Sequence, residues 1–152
     1  MQTLKDRPEI KEQKNLYRTY KSFQVLIVLL TQKELAPEIK DSISQSIGHL
    51  NRFPTADKKF SKYLHSQQKE ILKQVEKRHK WVPKNYYRNL WTALGMSVFG
   101  IPMGVVFGIM VDNMAYLGIG LPLGLAIGAA VGSNMDKKAK EEGRQLDVEV
   151  EE

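Results

Sequence analysis

Read as apolar and polar positions, the chain falls into three stretches. From Leu16 to Val82 apolar residues recur at intervals of three and four, the period of one helix face. From about Leu90 to Ser133 they run almost unbroken, interrupted only at Asp112 and Asn113. Beyond Ser133 the charges return.

The first stretch predicts three helices. Pro8 and Glu9 can open the first, with proline near N1 where its missing N–H costs nothing, and it runs to about Lys33. Leu16, Tyr20, Phe23, Ile27 and Leu30 follow one face, and Val25, Val28 and Leu29 fill the others. Burial on several sides inside a small bundle is the expectation; a short buried strand and a partner surface are the alternatives. Pro37 starts the second helix, in which Ile39, Ile43, Ile47 and Leu50 share a face, and Asn51 to Pro54 breaks the pattern. Thr55 or Asp57 can cap the third, whose stripe is Phe60, Leu64, Ile71, Leu72, Val75 and Val82. Lys58, Lys62, Lys69, Lys73, Lys77 and Lys80 gather half a turn away. Three such helices make a small antiparallel bundle, which Pro83 closes.

The second stretch is long enough for two membrane spans, at about 90–111 and 114–133, since one span needs roughly 20 apolar residues. Each carries the pattern G-x-P-x-G-x-x-x-G: Gly100, Pro102, Gly104 and Gly108 in the first, and Gly120, Pro122, Gly124 and Gly128, continuing to Gly132, in the second. Glycine every fourth residue leaves a flat strip on which a second backbone can close, so these seven are candidate helix-packing positions, within the hairpin or between subunits. With the turn near Asp112, Gly100 shares a layer with Gly124 and Gly104 with Gly120. Pro102 and Pro122 then stand level as candidate matched kinks, freeing the carbonyls of Val98 and Gly118. Tyr86, Tyr87, Arg88 and Trp91 before the first span, and Lys137 and Lys138 after the second, read as interfacial anchors.

Charge sharpens this division. The net +6 is uneven: residues 1–88 hold nineteen Lys and Arg against nine acids, residues 89–133 hold only Asp112, and residues 134–152 hold four basic groups against seven acids. Basic residues flank the hairpin on both sides while Asp112 to Ala115 has none, which predicts both termini in the cytoplasm. Met1 to Glu12 lacks the apolar core of a secretory signal, leaving the hairpin as the expected insertion signal. The fold class that follows is all-α: a two-span transmembrane helical hairpin preceded by a small cytoplasmic three-helix domain. Residues 1–83 form the domain, 84–135 the hairpin and 136–152 a charged cytoplasmic tail, of which Leu146 to Glu152 is expected to be disordered.

Candidate chemistry changes little. There is no cysteine, and His49, His65 and His79 lack metal-ligand spacing. No phosphate-binding loop, nucleophile elbow or zinc-protease motif occurs, so neither enzymatic activity nor a cofactor is expected. Within the spans the polar side chains are Thr92, Ser97 and Ser133, near the ends, which argues against an ion path lined by charge.

The run Gly120, Gly124, Gly128, Gly132 followed by Met135-Asp-Lys-Lys-Ala-Lys-Glu-Glu-Gly-Arg resembles the glycine-zipper hairpins of small, mostly uncharacterised bacterial membrane proteins, over residues 90–145. The resemblance implies a bacterial cytoplasmic (inner) membrane and homo-oligomeric packing, and brings no catalytic residues. The expected function is a membrane structural or interaction protein that self-associates through its glycine helices; the alternative is a small oligomeric channel or pore. Expected partners are the bilayer, other copies of the chain and anionic lipid headgroups. For the lysine face, simple solvation ranks ahead of lipid attraction and nucleic acid comes last.

Overall fold

The computed structural model describes residues 3–150 and is mostly helical, 77%. It divides into two compact units: residues up to Pro83 together with Leu146 onward, and Lys84 to Gln145.

The first unit begins with a 3-10 turn, Pro8–Glu12, separated from helix α1 (Lys14–Thr31) by a break at Gln13. The predicted helix from Pro8 is thus two pieces. Helix α2 (Pro37–Arg52) starts on its proline, and α3 (Lys58–His79) is capped by Asp57, whose carboxylate accepts the Phe60 N–H at 2.9 Å. Their apolar stripes meet in one core that includes Phe23, Leu26, Ile43, Ile47, Phe60 and Ile71. Burial pushes the Tyr20 hydroxyl up to about 12, so it stays a donor at neutral pH, to the carbonyl of Lys5.

Arg7 is a buried charge that the apolar pattern does not reveal. Its guanidinium donates to the carbonyls of Leu50 and Phe53, at 3.1 and 2.6 Å, and lies 4.7 Å over the Phe60 ring. It therefore satisfies the carbonyl end of α2, and Glu9 at 3.3 Å balances its charge.

Burial of α1 on several sides does not occur. Val25 and Val28 are 44% and 54% exposed, whereas Phe23, Leu26 and Leu30 are buried. Successive residues advance about 100°, so the two valines project opposite the buried set, and α2 and α3 cover only one side.

Two further expectations fail together. Val82 does not extend the α3 stripe, because α3 stops at His79 with Lys80 in the left-handed conformation. It lies in strand β1 (Val82–Lys84), which pairs with β2 (Gln145–Glu149). The tail is therefore not disordered over its described part; Glu151 and Glu152 lie outside the described residues. Leu146 and Val148 are buried in the core of the first unit. Alternation explains the misreading: Gln145-Leu-Asp-Val-Glu puts two apolar side chains on one face of a strand and its acids on the other, which reads as a polar tail by composition. A polar relay holds the strand, with Gln68 Nε2 donating to Ser22 Oγ at 3.2 Å and Ser22 donating to the Glu149 carbonyl at 2.7 Å.

Leu146 and Val148 thus complete a core that the residues before the hairpin begin, and the hairpin is an excursion between two paired strands. Leu146→Ala should destabilise the first unit by about 3 kcal/mol. Proteolysis rates in the α1–α2 connection of the full chain in detergent check this, and an unchanged rate would return the tail to solvent.

Candidate functional site: the glycine-packed hairpin

Two helices in the second unit are long and apolar enough to cross a membrane, Tyr86–Met110 and Met114–Glu141. The first is built from α4 (Tyr86–Gly95), a π-helical turn (Met96–Gly100) and α5 (Ile101–Met110). The second begins with a 3-10 turn (Met114–Tyr116) and continues as α6 (Leu117–Glu141). Asp112, in the left-handed conformation, reverses the chain, and Asn113 caps the return by accepting the Ala115 N–H at 3.0 Å. Gly143, also left-handed, ends α6, with the Arg144 N–H reaching the Ala139 carbonyl at 2.8 Å.

The helices touch backbone to backbone at their glycines. A Cβ on Gly124 would lie 2.5 Å from the Gly95 carbonyl oxygen and 2.6 Å from the Gly100 Cα. A Cβ on Gly120 would lie 2.5 Å from the Gly104 Cα, and one on Gly104 2.5 Å from the Leu117 oxygen. A Cβ on Gly128 would lie 2.8 Å from the carbonyl carbon of Trp91, and one on Gly132 2.5 Å from the Cα of Arg88. A Cβ on Gly100 would have more room, 3.1 Å to the Gly120 oxygen, and one on Gly108 would meet the flexible Met114 sulfur at 3.1 Å. Gly120, Gly124 and Gly128 thus each fit between two positions of the facing helix. The glycine faces meet inside one chain.

Gly95 belongs to this strip, and the sequence reading passes over it. It stands five residues before Gly100, off the four-residue period, and a regular α-helix would turn it away. The π turn takes up the extra residue: the Ile101 N–H bonds to Met96 O, five residues back, and Gly95 returns to the face. Pro102 explains the location, because its ring cannot follow an undistorted α turn and it has no N–H to donate. Pro122 is accommodated differently, within a helix that runs on through it as α6. The two prolines are not a matched pair in helix geometry.

The open end of the hairpin is fixed by a residue assigned above only to a charged tail. Asp136 is 8% exposed, and its carboxylate accepts the N–H groups of Tyr87 and Arg88, at 3.0 and 2.9 Å. These are the second and third residues of α4, whose own N-cap, Asn85, makes no side-chain cap. Asp136 therefore serves as that cap from the opposite helix, and its charge suits the positive end of the helix dipole. The available signal was its spacing, four residues beyond Gly132 on the glycine face.

This contact gathers the predicted anchors. Tyr87 and Arg88 stand against Gly132 and Asp136, with Lys137 and Lys138 next in chain, so both basic flanks lie at one end and the turn at Asp112 at the other. Tyr86 and Tyr87 pack edge to face at 5.1 Å, and Trp91 is half-buried, its carbonyl against Gly128. Lys138 lies 3.9 Å from Glu142, and Glu142 also binds Arg144, raising the Arg144 guanidinium above its ordinary range. Thr92 and Ser97 return their hydroxyls to their own helix, at the carbonyls of Arg88 and Leu94, 2.6 and 3.1 Å away. His49 and His65 are exposed; His79 is half-buried and stacked on Trp81 at 4.5 Å.

Set against protein-family models, curated proteins and solved structures, the chain matches none. Its likeness to glycine-zipper hairpins rests on the glycine run and on the charged segment Met135 to Arg144 that follows it.

Gly118 supplies an internal control, since nothing lies within 4 Å of a Cβ there. Gly118→Ala should leave thermal stability in detergent unchanged or raise it by up to about 1 kcal/mol through helix propensity. Gly124→Ala should lower it, because no flexible side chain is there to give way. Equal effects at the two sites would contradict backbone contact.

Proposed function

We propose that this chain is an integral membrane protein whose hairpin anchors a basic helical domain at the membrane face, where it acts as a structural or interaction protein. One observation carries the reading. Only 22% and 17% of the most apolar stretch of each long helix is buried, and what is buried is largely glycine. Val98, Ile101, Val106, Ile109, Leu125 and Ile127 point outward, 40–65% exposed. A core helix of a water-soluble protein has the reverse distribution, so the solvent that fits these helices is hydrocarbon.

Topology follows from chemistry at the two ends. Leu146 and Val148 share a core with α1 to α3, so both ends of the hairpin attach to one domain and belong on one side of the bilayer. The basic flanks favour the cytoplasm as that side, and the resemblance to bacterial hairpins supports the bacterial inner membrane as the membrane. Self-association is proposed through the outward apolar faces, since the glycine faces are occupied within the chain. The pore alternative gains no observation, for the hydroxyls of Thr92 and Ser97 turn back on their own helix.

A chain without cysteine allows a clean test. Membranes carrying the protein should retain it through alkaline extraction. Met114→Cys, at the turn, should react with an impermeant thiol reagent from outside, and Lys40→Cys only after lysis. Release into the alkaline supernatant, or labelling of both sites from one side, would overturn the reading.

A further inference from the structure

The outer face of α3 holds charge that the anchoring function leaves unused. Lys58, Lys59, Lys62, Lys69, Lys73 and Lys77 are all exposed, and the helix carries only two acids, Glu70 and Glu76. Glu70 is already an acceptor for Gln74 at 3.1 Å. Lys58 to Lys77 spans about 29 Å along the axis. Phe60, Leu64, Gln68, Ile71, Leu72 and Val75 are buried in the bundle, and the lysines occupy the opposite side. The helix thus presents a straight cationic edge, fixed by its own core packing.

We infer that this edge is a docking surface for an anionic bilayer, the one into which the hairpin inserts. The inference rests on the membrane reading above. Linkage supports it: α3 ends at His79 and the first long apolar helix begins at Tyr86, so the connecting residues hold the two within roughly 25 Å even when fully extended. A partner held by covalent connection acts at high effective concentration. Headgroup attraction adds up with the number of lysines near the surface and needs no shaped pocket. A nucleic acid would have to be recruited from solution, and this edge offers few aromatic rings on which bases stack, the exposed His65 among them.

Ser66, exposed and on the lysine side of α3, is the reporter position. The full chain carrying Ser66→Cys and a fluorescent label is reconstituted in phosphatidylcholine vesicles and in vesicles that also contain phosphatidylglycerol. The label should be shielded from an aqueous quencher only in the anionic vesicles. Shielding should fall with added salt and with Lys62→Gln, Lys69→Gln and Lys73→Gln combined, up to about fivefold per lysine in the docked-to-free ratio. Arginine at the same three positions should restore it. Equal exposure in both vesicle types overturns the proposal, as does stronger shielding by added RNA in neutral vesicles. Alkaline extraction of the neutral vesicles separates the two claims: inserted protein with an unshielded label defeats docking alone, and extracted protein defeats the membrane reading with it.

Discussion

Two helix backbones in contact, with no side chain between them, is the constraint on which the hairpin depends. Water supplies no hydrophobic force inside a bilayer, so helices there are held by dispersion and by satisfied polar groups, both of which increase as backbones approach. Glycine permits that approach at the cost of helix propensity, about 1 kcal/mol relative to alanine. The π turn, the placement of Pro102 and the interhelical cap by Asp136 all serve the same register. The fit tolerates no side chain at the contact, because a Cβ on Gly120 or Gly124 would already fall within 2.6 Å of facing backbone atoms.

The second unit's closure has a counterpart in the first. The core of the N-terminal domain includes Leu146 and Val148, which follow the hairpin in the chain, so that core is complete only after the hairpin has been made. The chain leaves the domain and returns to it through the paired strands β1 and β2.

What the sequence makes legible is whatever repeats with a regular period. The helices from Pro37 and Lys58, the Asp57 cap, the turn at Asp112 and the glycine strips follow spacings of three and four. What escapes is whatever breaks period or depends on a distant partner. Gly95 is off by one residue until a π turn restores it. Asp136 looks like one more charge in a tail until it meets the amide groups of Tyr87 and Arg88. Gln145 to Glu149 has strand alternation, but five residues following a charged helix carry too little pattern to outweigh their composition. Val25 and Val28 misled in the opposite sense, since apolar residues all round a helix do not require that all its sides be covered.

The central claim is that the glycine faces close within one chain in a bilayer, and dilution measures it directly. Spin labels introduced by Ala93→Cys and Ala130→Cys, both at exposed positions on the outer sides of the two helices, report the interhelical separation in reconstituted membranes. A single short distance that persists when labelled chains are diluted into an excess of unlabelled ones is the predicted result. A distance that disappears on dilution would place the contact between chains and contradict the account.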